Sequence, residues 1–154
     1  MKVLKCIGYW ILSCTWGGIL TLIGAIVALA LMIGGCKPHI FHYDVYFEVG
    51  KGWGGLELGP FFLVCKDGSR SIKQHEHGHG LQNIWWGPLY IFVIGLPSII
   101  RYNYRNIVEK KKFKQWRTGK ITYEEYREWY YNWPNYDDIW FEGQASALGA
   151  KYFT

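Results

Sequence analysis

Charge is missing from a long stretch of this chain: between Cys6 and Cys36 there is no Asp, Glu, Lys or Arg. A helix needs about 20 apolar residues to cross the hydrocarbon core of a bilayer, and this run exceeds that length, so residues 1–36 are expected to form a transmembrane anchor. Gly17, Gly18 and Gly24 are small enough to allow close helix packing within it. Cysteine is also sparse. The spacing of Cys6, Cys14, Cys36 and Cys65 makes no metal-ligand array, and a Cys36–Cys65 disulfide would require an oxidising compartment. Ile33 to Cys36 resembles the end of a lipoprotein signal, but the apolar run before it is longer than a signal core. There is no internal repeat and no low-complexity segment, and 154 residues leave room for one domain only.

Aromatic rings are abundant, with Trp 9 and Tyr 12 among a 19% aromatic content, and such amphipathic rings suit the boundary between lipid and water. The net charge of +5 is unevenly spread. Arg101 to Lys120 carries eight Lys or Arg against the single Glu109, a basic patch beside an apolar segment. No nucleic-acid recognition module accompanies it, so the expected partner is membrane lipid with anionic headgroups and not nucleic acid.

Residues 37–154 read as a single membrane-associated domain of mixed α+β class. Phe41, Tyr43, Val45, Phe47 and Val49 alternate with His42, Asp44, Tyr46 and Glu48, the period-two pattern of a half-buried strand. The glycine-rich segment 50–55 supplies a turn, Leu56 to Cys65 reads as return strands broken at Gly59-Pro60, and residues 37–70 are expected to form a small antiparallel hairpin sheet. A helix over 71–83 follows. Ile84 to Ile100 is apolar but short and broken by Gly87, Pro88, Gly95 and Pro97, which favours an interfacial or re-entrant segment over a second spanning helix. The tail, 101–154, is basic, aromatic and helical. Ile107 to Arg117 forms one helix, and Thr122-Tyr123-Glu124-Glu125 has the pattern of a capping box that starts another. Pro134 ends that helix, and Asp138 to Gly149 forms a last short one.

Three of the five histidines fall in His75-Glu76-His77-Gly78-His79. On a helix His75 and His79 lie one turn apart on one face, so both imidazoles can bind one Zn²⁺, while Glu76 can take the proton of a water that zinc acidifies. This is the zincin arrangement, and it points to peptide hydrolysis. His77 leaves that face and reads as a solvent-facing residue or one that supports a ligand. Gln82 returns to it, seven residues after His75, placed to contact substrate or Glu76 or to cap the helix. A catalytic zinc site has three protein ligands and an open position. Chemistry alone leaves His39, His42, Asp137, Asp138 and Glu142 as candidates for the third.

Trp53-Gly54-Gly55-Leu56-Glu57-Leu58-Gly59, His75 to Asn83, Gly87-Pro88-Leu89-Tyr90 and Gly95-Leu96-Pro97-Ser98 together resemble an uncharacterised family of small bacterial membrane proteins. That family carries W-G-G-x-x-L-G, H-E-x-G-H-x-x-Q-S, G-P-L-Y and G-x-P-S blocks and closes with T-E-x-x-A-D-x-L-G-G. The resemblance covers roughly residues 45–100 and 138–149, and ordered blocks are more specific than the zinc motif by itself. Glu142, Ala145, Leu148 and Gly149 match the closing block, which implies Glu142 as the third ligand and a gluzincin-like set of two His and one Glu. Ser146 stands where the family has Asp, at a position that would orient a ligand histidine. Asn83 replaces Ser, and residues 105–134 look like an inserted helical hairpin. The resemblance implies a fold, a metal site and a bacterial inner-membrane location, and it implies no particular activity.

A crossing by residues 84–100 would put Glu142 on the far side of the membrane from His75 and His79, so the ligand set requires the non-crossing form. For a single anchor, Lys2 and Lys5 favour an internal N-terminus while the basic tail favours an internal C-terminus. The expected function is hydrolysis of membrane-proximal peptide at a zinc site. The alternatives are a non-enzymatic membrane protein of accessory or immunity type with a structural metal or none, and a hydrolase of amides in lipid or cell wall. Nothing in the sequence reads as a specificity pocket.

Overall fold

The computed structural model describes residues 2–151; residues 152–154, the end of the expected tail, lie outside the described part. The uncharged N-terminal run is not one helix. It forms α1 (Lys2–Thr15) and α2 (Gly18–Ile33), which meet at 98°. No single helix among the described residues is long and apolar enough to cross a membrane; α1 with α2, and the apolar pair around residue 90, reach that length only as bent pairs. The break falls at Trp16-Gly17, where Gly17 packs against the Asn83 side chain, and Gly24 brings α2 onto the backbone of Leu58. Gly18 faces open space. All four cysteines are free, so Cys36 and Cys65 form no disulfide.

The sheet comprises β1 (His39–Phe41), β2 (Asp44–Glu48), β3 (Gly55–Leu58) and β4 (Phe61–Val64). Its order is β1-β2-β4-β3, and β2 runs parallel to β4, so the sheet is mixed and not the expected antiparallel hairpin. The connection over the glycine-rich segment carries the chain past β4, and β3 then returns to pair on its outer edge. The single strand read over residues 41–49 is likewise divided. His42 turns the chain with φ 58, and β1 folds back on β2. The division also changes which side chains face inward: Asp44 and Tyr46 are buried with Phe47, because their side of β2 meets the next helix. Lys73 there reaches Tyr46 Oη at 3.0 Å and Glu48 Oε1 at 3.2 Å.

That helix is α3 (Arg70–Trp86), capped by Ser69, whose Oγ accepts from Ile72 N, and stopped at Gly87, which takes φ 53. The apolar segment that follows makes a 3₁₀ turn (Gly87–Leu89) and a π turn (Ile91–Gly95) before α4 (Leu96–Arg117), with a 116° bend between the arms. The segment therefore reverses and does not run straight. The Thr122 capping box is present, with Glu125 N to Thr122 Oγ1 at 3.1 Å and Thr122 N to Glu125 Oε2 at 2.7 Å, and it starts α5 (Tyr123–Tyr131). A 3₁₀ turn (Tyr136–Asp138) leads into α6 (Trp140–Lys151). Helix α6 lies directly on α3. Gly78 meets the Ala145 carbonyl, Gly149 meets the Gln74 carbonyl, and Ala145 is fully buried. This close crossing carries Glu142 to the histidines.

Candidate metal centre

His75 and His79 share a face of α3, and Glu142 enters from the first turn of α6. Their contacting atoms form a nearly equilateral triangle: His75 Nε2 to His79 Nε2 is 3.0 Å, His75 Nε2 to Glu142 Oε2 is 3.1 Å and His79 Nε2 to Glu142 Oε2 is 3.0 Å. These three residues could hold a metal ion, and no other group of three or more such side chains comes together among the described residues. Glu142 is fully buried and His79 nearly so.

Hydrogen bonds around the triangle decide which nitrogens face its centre. Gln82 Nε2 donates to Phe141 O at 2.7 Å and to Gln144 Oε1 at 2.9 Å, which leaves Gln82 Oε1, an acceptor only, 2.7 Å from His79 Nδ1. His79 Nδ1 must therefore carry the proton. Ser146 Oγ donates to Asp137 Oδ1 at 2.9 Å, so it accepts from His75 Nδ1 at 2.9 Å. In their neutral forms both histidines then direct bare Nε2 lone pairs at one another and at a carboxylate oxygen. Such an arrangement needs a cation at its centre. Tetrahedral zinc with ligand bonds of about 2.0–2.2 Å separates its ligands by roughly 3.3 Å, close to the edges seen here, so the donor set fits zinc.

The other sequence candidates lie elsewhere. His39 stacks on Tyr46, Asp138 accepts from Asn135 N, and His42 packs its ring 4.8 Å from that of His77. His77 is not solvent-facing: it is fully buried, and its Nδ1 lies 2.6 Å from Asp44 Oδ2, tying α3 to β2. Asp137 is displaced by one side chain, reaching His75 only through Ser146. The Ser146–Asp137 pair therefore orients His75. Such partners fix the tautomer and raise ligand basicity, and their loss typically weakens metal binding about 10–100-fold. Ser146→Ala and Gln82→Ala are each expected to weaken metal binding by that factor in a competition titration with a chromogenic chelator.

Burial raises the Glu142 carboxyl, and protons on His75 and His79 Nε2 would outweigh that and lower it; in the bare-nitrogen form a metal ion takes the place of those protons. Glu76 behaves differently. Burial pushes it up to about 7, opposed by His75 and reinforced by the Glu142 charge. Gly55 of β3 makes room for it, since a Cβ there would strike the Glu76 carboxylate. Between the ordinary value of 4.5 and about 7 the unfolded chain has released a proton that folded Glu76 retains, so stability falls as pH rises through that window. A span of this size is worth roughly 3 kcal/mol. Metal-free Glu76→Gln is accordingly expected to melt above metal-free wild type at pH 8, with the gap closing near pH 4; an equal gap at both would contradict this assignment.

Tyr136, Arg101 and Arg105 also surround the site, and sequence reading missed all three. Tyr136 sets its ring 5.6 Å from that of His75, and burial together with the Glu142 charge pushes its phenol up. No sequence signal marked it, because it lies in the turn before α6, outside the blocks that carry the resemblance. Compared with protein-family models, curated proteins and solved structures, the chain matches none.

Proposed function

We propose that the chain is a membrane-bound zinc metallopeptidase in which His75, His79 and Glu142 hold the ion and Glu76 is the general base. The observation that carries this reading is the convergence of two bare imidazole nitrogens and a buried carboxylate, with Glu76 beside them on the same helix and a cavity at its side chain. When bound, zinc supplies a Lewis acid that acidifies water and polarises a carbonyl. Glu76 takes the proton of the attacking water and passes it to the departing amine. Gln82 and Ser146, backed by Asp137, keep the imidazoles oriented throughout. The Tyr136 hydroxyl lies 3.4 Å from Ser98 Oγ at the cavity wall and also hydrogen-bonds the Glu142 carboxylate, so it holds the third ligand in place.

Membrane attachment is supported by the apolar surface that the helices leave uncovered. Ile19, Leu22, Ile23, Ile26, Leu29 and Ile33 line the outer side of α2, and Trp85, Leu89, Phe92 and Leu96 are exposed around the 3₁₀ and π turns. Exposed apolar surface of this kind suits lipid contact, with the bent α1–α2 pair as the anchor and the inner membrane of a bacterium as the expected location. A test is hydrolysis of a quenched-fluorescence peptide library by detergent-purified, zinc-loaded protein. Cleavage lost with chelator and restored by zinc supports the reading; stoichiometric zinc without cleavage of any library member would leave a non-enzymatic metal protein.

A further inference from the structure

Two cavities flank Glu76 and share Gly55, Glu76, Tyr102 and Tyr136 as walls. The smaller, about 330 Å³, reaches His79 and is closed mainly by apolar side chains such as Leu56, Ile91, Leu96 and Ile99. The larger, about 490 Å³, reaches His75 and is bordered by Arg101 and Arg105. Both arginines come from α4, four residues apart and so on one face of the helix. Both are half-buried. Arg101 Nη2 donates to Pro134 O at 3.4 Å, and the Arg105 guanidinium sits 6.0 Å from the centre of the Tyr130 ring. These contacts position the two cations without neutralising them, and neither takes part in an ion pair within 4.0 Å among the described residues. Asp137, which accepts from Ser146, and Glu109 and Glu76 also border this cavity and compete with an incoming anion; the test removes the Glu76 charge.

We infer that Arg101 and Arg105 bind a carboxylate of the peptide substrate in the larger cavity, while the smaller takes an apolar side chain and the scissile amide lies between them at Glu76. The inference rests on the proposed metallopeptidase reading and specifies its substrate class. A guanidinium offers a planar fork of donors that matches a carboxylate, and charge-assisted bonds of this kind are the strong ones. The carboxylate can come from a peptide C-terminus or from an acidic side chain. Because the cavity borders the bond to be broken, either source would fix the distance from the charged group to the cleavage site.

The test uses the full chain in detergent, zinc-loaded and carrying Glu76→Gln so that ligand persists. Calorimetry compares three N-acetylated tetrapeptides of alanine and leucine: the free acid, the C-terminal amide, and the amide with glutamate as last residue. At least one carboxylate peptide is expected to bind about tenfold or more tighter than the plain amide. Adding Arg101→Ala and Arg105→Ala should abolish that preference at unchanged zinc content and unchanged melting temperature, which together report that the fold is kept. Preference for the free acid identifies the C-terminus, and preference for the glutamate peptide identifies the side chain. Equal binding of all three, no binding of any, or a preference that survives the double alanine change, which would place the carboxylate on the metal, overturns the inference while the zinc site stands. Failure to load zinc overturns the underlying reading and this inference with it.

Discussion

Glu76→Gln is expected to bind zinc as the wild type does and to cleave peptide about 10²- to 10⁴-fold more slowly, the range that a positioned general base contributes. Glu76 stands apart from the group that could hold the ion. Glu76 is not among the three residues whose atoms converge, so removing its charge leaves the triangle intact. Its carboxylate instead borders both cavities at their shared wall, where an attacking water and a substrate amide would meet. Gln keeps the shape and loses the capacity to accept a proton. Parallel measurement of zinc content and kcat/KM checks this: a variant that keeps zinc and full activity would exclude Glu76 as the base, and one that loses zinc would make it a ligand.

Gly78→Ala is expected to destabilise the protein by about 1–3 kcal/mol, the usual cost of overpacking, and to weaken zinc binding. The added methyl would strike the Ala145 carbonyl, and backbone cannot step aside as a flexible side chain can. Helix α6 would have to lift from α3, and Glu142 would move with it, away from two imidazoles now at 3.0 and 3.1 Å. Gly54→Ala provides the control, since a Cβ there meets nothing within 4 Å. Thermal melts with and without zinc should show a smaller zinc-dependent stabilisation in Gly78→Ala and an unchanged one in Gly54→Ala. An equal response in the two variants would mean that the α3–α6 crossing does not set the site.

The part of the site that lies on one helix was legible in the sequence, because helical periodicity fixes which of residues 75 to 82 share a face. Glu142 is 63 residues beyond His79, and no local rule reaches that far; only its place in an ordered set of blocks singled it out. Asp137 was read as a competing ligand because sequence gives its chemistry and not its distance, and a single serine between it and His75 changes its role. The mixed sheet was missed for a related reason. Alternation reports strands but not their pairing, and the parallel β2–β4 contact arises from a crossover that turn residues do not specify. Period two also misassigned the buried side of β2, since His77 and Lys73 of α3 offer partners that make Asp44 and Tyr46 the inward residues. In the N-terminal run, composition predicted the apolar surface, and the packing of Gly17 on Asn83 and Gly24 on Leu58 bends what composition reads as continuous.

Elemental analysis of detergent-purified protein, wild type beside His79→Ala and Glu142→Ala, tests the metal centre most directly. Near-stoichiometric zinc in the wild type, lost in both variants, is the predicted result. Zinc retained by Glu142→Ala, or none in the wild type, would contradict it.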